Sequence, residues 1–240
     1  MSTLREKWHA GLNVWRTSGG LSAPSALLRF YRCATRCDAA TTRAYLEGLV
    51  RNGLRITVFA TGSFIEKNTG WALRMQGLGC EIGLHGYHHL SPNRMTPARF
   101  ETDLQRCIAA FRRAGISFSG YRAPNLAMAP GCYPVLRRLG IAYSSSLLCS
   151  AARLDPMERC IAFMDVPLIL HEPGPEEIAD ALRPHLLPGR VLCVHPYGFL
   201  GTRYGPVTRE LILDCGLRTV TIAEQLRGAE GLALSVDFGA

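Results

Sequence analysis

Two histidines four residues apart, His85 and His89, are the side chains best suited to chemistry in this sequence. They follow the apolar run Ile82–Leu84, which is typical of the end of a short buried strand. Two imidazoles at this spacing can reach one metal ion if the turn between them is helical, because residues i and i+4 share a face. The alternative is a polar turn in which the histidines bind nothing.

Two further polar residues also come directly after predicted strands. Arg122 follows the short run Ser119–Tyr121, and His195 follows the fully apolar run Val191–Val194. In parallel α/β folds, functional groups gather at the carboxyl ends of the strands. We therefore expect His85, Arg122 and His195 to lie together at one end of one sheet.

Predicted strands and helices alternate along the chain, which indicates a parallel sheet or barrel. The first strand is predicted at 26–33 and the second at 56–60, with a helix over 39–52 between them. We find no linker or internal repeat and predict one domain over 1–240. Its core covers about 26–227, with an N-terminal extension at 1–25 and a weakly patterned C-terminal tail at 228–240.

Composition excludes several classes of protein. No apolar run is long enough to span a membrane, and the first residues carry charges of both signs without an apolar segment, unlike a signal peptide. The nine cysteines are scattered, which favours reduced thiols in the cytoplasm over a disulfide framework. Cys33 and Cys37 have no second cysteine pair with which to complete a zinc site.

The net charge of +8 comes almost entirely from arginine. It favours an anionic partner, such as a phosphate on the substrate or a membrane surface, although an arginine-rich composition can arise without one. A basic run with interleaved aromatic residues is absent from the sequence, which argues against nucleic acid.

Four stretches together resemble the polysaccharide deacetylase family, also called the NodB homology or carbohydrate esterase 4 group. They are Thr57–Gly62, Glu81–His89, Gly120–Pro124 and Val194–Pro196. The resemblance implies a distorted (β/α)7-type barrel. It also implies a divalent metal ion held by an aspartate and two histidines, and metal-assisted removal of an N-acyl group from an amino sugar.

Residue by residue, the resemblance implies that His85 and His89 bind the metal ion, which we expect to be Zn²⁺, or else Co²⁺, Ni²⁺ or Mn²⁺. Arg122 matches the arginine that orients a catalytic aspartate. His195 matches the general acid that protonates the leaving amine, which is needed because an amine is a poor leaving group. His88 matches no family role.

The same resemblance leads us to expect substrate contacts from three residues near these motifs. They are Tyr121 and Pro124, on either side of Arg122, and Tyr197, shortly after His195.

The first and fourth motifs depart from the family pattern. Two adjacent aspartates are expected after the first strand, but Asp38 is the one carboxylate before the next helix. It is a candidate metal ligand or a candidate base, and in another alignment Ala34 stands where an aspartate belongs. In the fourth motif, Ser144 replaces a frequent aspartate, which leaves Asp165 as the candidate partner of Arg122.

Three functions remain open from the sequence. The first is a cytoplasmic, metal-dependent deacetylase, or one peripheral to the inner face of the membrane, acting on an amino-sugar intermediate that is soluble or lipid-linked, or on a glycosylated metabolite. The second is a different C–N hydrolase on the same scaffold, acting on a formamide or a cyclic amide. The third is a pseudoenzyme that binds a sugar without turnover.

Overall fold

A curled parallel β-sheet runs through the computed structural model, which describes residues 39–149, 155–165, 173–195 and 204–238. The strands are β1 (Thr57–Ala60), β2 (Glu81–Leu84), β3 (Gly120–Tyr121), β4 (Tyr143–Ser144), β5 (Phe163–Met164), β6 (Val191–Val194), β7 (Thr219–Val220) and β8 (Leu232–Phe238).

Helices cover the outside of this sheet. They are α1 (Ala39–Arg51), α2 (Gly62–Lys67), α3 (Thr69–Gly77), α4 (Pro97–Arg113), α5 (Tyr133–Arg138), α6 (Pro175–Leu182), α7 (Tyr204–Asp214) and α8 (Ile222–Leu226). Short 3₁₀ turns lie at Pro92–Arg94, Pro124–Leu126, Pro130–Cys132 and Arg183–His185.

The strand order is β4-β3-β2-β1-β8-β6-β5, with β7 also pairing with β8, and every pair is parallel. The first four strands are therefore neighbours in sequence order, as right-handed strand–helix–strand units require. The predicted fold class, a distorted (β/α)7-type barrel, is confirmed.

The longest helix in the described part of the chain, α4, begins and ends where its sequence predicts. The Thr96 hydroxyl accepts a hydrogen bond from the Arg99 amide, and Pro97 occupies the first turn. Phe100, Leu104 and Phe111 form part of its buried stripe against the sheet. Gly115 follows the helix with φ of +70°, a conformation that glycine adopts without a steric cost.

The prediction of a weakly patterned C-terminal tail at 228–240 is wrong for residues 232–238. Residues 232–238 form β8, which lies in the middle of the sheet between β1 and β6. Thr57 of β1 is opposite Ser235 of β8, and Cys193 of β6 faces Ser235 from the other side. The segment carries two polar residues, Ser235 and Asp237, among apolar ones. A strand that faces a polar barrel interior therefore does not have the uniformly apolar pattern of a buried parallel strand.

The cysteines also need one correction. Cys149 and Cys160 form a disulfide, whereas Cys80, Cys107, Cys132 and Cys193 are buried free thiols and Cys215 is a partly buried one. The expectation of reduced thiols throughout is therefore wrong at one pair. Cys33 and Cys37 lie outside the described residues.

Within the described ranges, no helix combines the length and the apolar character that crossing a membrane requires.

Leu234 provides a test of β8 as a core strand. Its side chain is 1% exposed, so Leu234→Ala should lower the free energy of unfolding by about 2–5 kcal/mol. Leu213→Ala is the matched control, because that side chain is 51% exposed and its loss should cost less than about 0.5 kcal/mol. Urea unfolding followed by circular dichroism measures both. Equal, small effects would mean that residues 232–238 are a tail after all.

Candidate active site

Five polar side chains meet at the carboxyl ends of the strands. His85 follows β2, Arg122 follows β3, Asp165 follows β5 and His195 follows β6, while Asp237 is the penultimate residue of β8. The sequence predicted this arrangement for the two histidines and the arginine. It did not predict Asp237.

Arg122 is fully buried, and all of its N–H groups have acceptors. Nε donates to the Ser145 carbonyl at 2.7 Å, and Nη2 donates to the hydroxyls of Ser145 and Ser235, each at 2.9 Å. Nη1 donates to Asp237 Oδ1 at 2.8 Å and to Cys193 Sγ at 3.2 Å. A guanidinium has five N–H donors in a fixed plane, so these acceptors define its orientation completely.

Asp237 is the carboxylate that pairs with Arg122, and the predicted partner, Asp165, is wrong. Burial alone would raise the pKa of Asp237, but its cationic surroundings, Arg122 first among them, lower it to about 2. The carboxylate is therefore ionised at neutral pH. Its tie to Arg122 also fixes which oxygen is occupied, because Nη1 bonds Oδ1.

Asp165 instead holds His195. Its carboxylate accepts a hydrogen bond from His195 Nδ1 at 2.6 Å and another from the His195 backbone amide at 2.7 Å. Burial alone would lower the pKa of His195, but the Asp165 charge and hydrogen bond outweigh it, so the pKa is raised. The imidazolium form is therefore favoured, and its ring is held in one orientation.

His85 and His89 lie side by side, with ring centroids 4.8 Å apart. His85 Nδ1 is 2.9 Å from the Arg122 carbonyl, which can only accept, so Nδ1 carries the proton. Burial lowers the pKa of His85, and it lowers that of His89 to about 3, so both rings are neutral. His89 reaches its place through a left-handed φ of 58°, which costs energy in a non-glycine residue.

The two imidazoles fit a divalent metal ion. His85 Nε2 is buried and has no hydrogen-bond partner among the described residues, yet it carries a lone pair because the proton is on Nδ1. Such a nitrogen is the atom that a metal ion needs. In the part of the chain that the structure describes, His, Cys, Asp and Glu form no cluster of three ligands. Asp38, the predicted third ligand, lies outside it.

The place of β8 explains why its carboxylate matters. The strand predicted at 26–33 lies outside the described residues. Strands β1 to β4 follow one another across the sheet, which leaves one place beside β1, on the side away from β2. That place belongs to β8. Successive side chains of a strand point to opposite faces, so Asp237 faces Arg122 while Phe238 packs against Phe64 and Trp71, at centroid distances of 4.7 and 5.2 Å.

The serines of the fourth motif support the loop after β3. Ser146 Oγ accepts a hydrogen bond from the Ala123 amide at 2.9 Å and lies 2.8 Å from Ser144 Oγ. Glu158 in turn accepts hydrogen bonds from the amides of Ser146 and Leu147. The chain therefore holds the Arg122 loop through hydroxyls and one buried carboxylate, without an aspartate at position 144.

Three other predicted site residues have different outcomes. Tyr121 is 1% exposed and packs edge-on against Phe100 of α4, so the prediction that it contacts a substrate is wrong: its side chain points to the outer face of the sheet. Pro124 is buried at the start of a 3₁₀ turn, and its substrate contact stays a prediction. Tyr197 lies outside the described residues. His88 is exposed and stacks edge-on with Tyr87.

The family model for polysaccharide deacetylase matches residues 22–144. The chain belongs to this family. No curated protein matches it significantly.

Solved structures share the fold at low identity. A putative polysaccharide deacetylase from Mycobacterium smegmatis is 21% identical with a TM-score of 0.62, and the match covers 78% of this chain and 76% of that one. A family 4 pseudoenzyme from Bacillus anthracis is 12% identical with a TM-score of 0.61, covering 80% and 64%. A family 4 carbohydrate esterase from Streptomyces lividans is 22% identical, and the match covers 45% of this chain and 57% of that one. Its TM-score of 0.42 is too low to show a shared fold.

The buried ion pair gives a stability prediction. Asp237→Asn leaves the Arg122 charge buried without its counter-charge, which should cost about 3–5 kcal/mol of unfolding free energy at neutral pH. Glu101→Gln is the control, because it breaks an exposed pair with Arg138 and should cost at most about 1 kcal/mol. Since the pKa of Asp237 is lowered on folding, its contribution should disappear as pH falls from the unfolded value toward 2. Urea titrations at several pH values measure this; equal losses in the two variants would contradict it.

Proposed function

We propose that this member of the polysaccharide deacetylase family is a metal-dependent amide hydrolase. It removes an N-acetyl or other N-acyl group from an amino-sugar-containing intermediate or a glycosylated metabolite. One observation carries the proposal: an ionised carboxylate and a protonatable imidazole, each fixed by its own partner, lie at the strand ends that also bear two neutral, metal-competent imidazoles.

His85 and His89 would hold the ion, with zinc as the first candidate and Co²⁺, Ni²⁺ or Mn²⁺ as the others. When bound, such an ion polarises the amide carbonyl and lowers the pKa of a water molecule. Asp38 stays the predicted third ligand. Asp38 is also a candidate base from the sequence, and in this proposal Asp237 takes that role instead.

Asp237 is the proposed general base. Arg122 occupies Oδ1, whereas the donor at Oδ2 is the weak Cys193 thiol at 3.8 Å. Oδ2 is therefore the oxygen proposed to accept the proton from the attacking water. The ion pair keeps this carboxylate ionised, and it also keeps it a modest base, since the pKa is about 2. In this proposal β8 supplies the catalytic carboxylate that the family pattern places after the first strand. The family pattern has two adjacent aspartates there, whereas β8 directs one carboxylate into the site.

His195 is the proposed general acid. Asp165 bonds Nδ1, so the proton that reaches the leaving nitrogen comes from Nε2. The raised pKa favours the protonated ring, which the expulsion of an amine requires. Acid and base therefore differ in their partners: Asp165 stabilises the cationic form of one, and Arg122 the anionic form of the other.

The substrate is proposed to carry an anionic group, such as a phosphate, because the chain has a net charge of +8. A location inside the cell stays a sequence-based prediction. A sugar-binding pseudoenzyme is the second candidate. The residue beside Asp237 is Phe238, which supplies no second carboxylate and directs its ring out of the site.

A panel of N-acetylated amino sugars tests the function. The protein is loaded with one divalent ion per chain, and the metal content is measured by mass spectrometry. The panel includes compounds with and without a phosphate group, and we expect acetate release from at least one of them. Release of formate or opening of a cyclic amide instead would identify the other C–N hydrolase. Binding of a sugar without any release would identify a pseudoenzyme. Loss of the metal ion in Asp38→Asn, compared with wild type, would support Asp38 as the third ligand.

The acid role of His195 makes a separate prediction. His195→Ala should lower kcat by about 10²–10⁴-fold and leave the metal content unchanged, because His195 is not a proposed ligand. In the wild type, activity should fall as pH rises past the raised pKa of His195. Asp165→Asn removes the charge that raises this pKa, so the fall should begin at lower pH.

His88→Ala serves as the control for these histidine variants, because His88 is exposed and should affect neither the rate nor the pH profile. Metal loss in His195→Ala would make His195 a ligand, and an unchanged rate would remove it from the mechanism.

A further inference from the structure

Ser235 is a buried serine that the proposed reaction does not use directly. It lies two residues before Asp237 on β8, so both side chains point to the same face of the strand. Its hydroxyl is 2.9 Å from Arg122 Nη2 and 2.7 Å from the carbonyl oxygen of Leu192 on β6. The residue is fully buried.

These two contacts leave the hydroxyl one orientation. Arg122 Nη2 can only donate and the Leu192 carbonyl can only accept, so the Ser235 hydrogen goes to Leu192 and its lone pair faces Arg122. The hydroxyl is thus a fixed acceptor, held by the backbone of the neighbouring strand. A side chain with a freely rotating hydroxyl would not fix the guanidinium in this way.

β8 therefore contacts the guanidinium at two points. Ser235 takes one hydrogen of Nη2, and Asp237 takes one hydrogen of Nη1 at 2.8 Å. Because the guanidinium is planar and rigid, fixing Nη2 also fixes the direction of Nη1. That direction decides which carboxylate oxygen of Asp237 is occupied.

We propose that Ser235 is a positioning residue, which acts through Arg122 to keep Asp237 Oδ1 occupied. Oδ2, whose donor is the weak Cys193 thiol at 3.8 Å, is then directed at the reacting water. The inference rests on the proposed function, since it assumes that Asp237 is the base. Ser145 supports the other edge of the guanidinium through its carbonyl and hydroxyl. Ser235 differs from it because it belongs to the same strand as the base.

Three variants separate the hydroxyl from the volume it fills. Ser235→Ala removes the acceptor, and Ser235→Cys fills the space with a weak acceptor. Both should lower kcat by about 10–100-fold with KM changed less than about threefold, because a base displaced by an ångström or less loses alignment with its target. Ser235→Thr keeps a hydroxyl on a side chain suited to strands and should restore kcat to within about threefold of wild type.

The matched control is Ser119→Ala. That hydroxyl donates to the buried carboxylate of Glu81 at 2.6 Å, at the amino end of β2. The control loses a comparable hydrogen bond at the opposite end of β3 from Arg122, so kcat and KM should both stay at the wild-type values while the melting temperature falls.

A second measurement does not depend on turnover. With its N–H groups all bonded, the Arg122 guanidinium should give resolved, slowly exchanging Nη signals by ¹⁵N NMR. These signals should collapse by faster rotation in Ser235→Ala and Ser235→Cys, and persist in Ser235→Thr and Ser119→Ala. If the wild type lacks turnover but the signals behave in this way, the proposed function fails, and what stands is that Ser235 fixes the Arg122 guanidinium against Asp237. The positioning role would be overturned by unchanged signals and rates in the Ala and Cys variants. An equal loss of signals and kcat in all three Ser235 variants would also overturn it.

Discussion

Everything at this site depends on burying one arginine beside one aspartate. Moving a guanidinium and a carboxylate out of water costs several kcal/mol per ion, and their attraction offsets this only if the other polar atoms are also satisfied. Arg122 meets the condition through acceptors from three different strands or their connecting loops, including Ser145, Cys193 and Ser235. The ion pair therefore joins β3, β6 and β8 into one unit at the mouth of the barrel.

The two ionisable pairs of the site have opposite effects on charge. Asp237 is held in its anionic form by Arg122, whereas His195 is held in its cationic form by Asp165. Between these extremes, His85 and His89 are kept neutral by burial. One small region thus favours the charged form of a carboxylate, the charged form of one imidazole and the neutral form of two others. The division follows from what surrounds each side chain rather than from its residue type.

The site residues that could be predicted from the sequence are those marked by a local pattern, and those whose role depends on contacts between distant segments could not be. His85, Arg122 and His195 were predictable, because each follows an apolar strand and strand ends converge in parallel folds. The alternation of strands and helices predicted the fold for the same reason. Asp237 was not predictable from pattern alone, because its importance comes from the position of β8 between β1 and β6. A Ser-x-Asp spacing in an otherwise apolar run was the one local signal.

The partner of Arg122 was assigned wrongly for a related reason. Asp165 and Asp237 both lie near strand ends, and only the sheet order decides which of them faces Arg122 and which faces His195. Tyr121 was misassigned because neighbours on a strand point in opposite directions. Tyr121 directly precedes Arg122, whose side chain points into the site, so the Tyr121 side chain points to the outer face and packs against α4.

The late position of β8 in the chain has a consequence for folding. Strands β1 to β4 pair with sequence neighbours, whereas β8 must insert between β1 and β6, with Thr57 opposite Ser235. Contacts between such distant segments form slowly, because the long loop must close before any of them is gained. Until β8 inserts, β1 and β6 each lack a partner on that side among the described strands, and an unpaired edge drives strands of different molecules to associate. His85 and His89, the proposed metal ligands, can thus assemble before the carboxylate of Asp237 arrives, and the same delay makes the partly folded chain prone to aggregation.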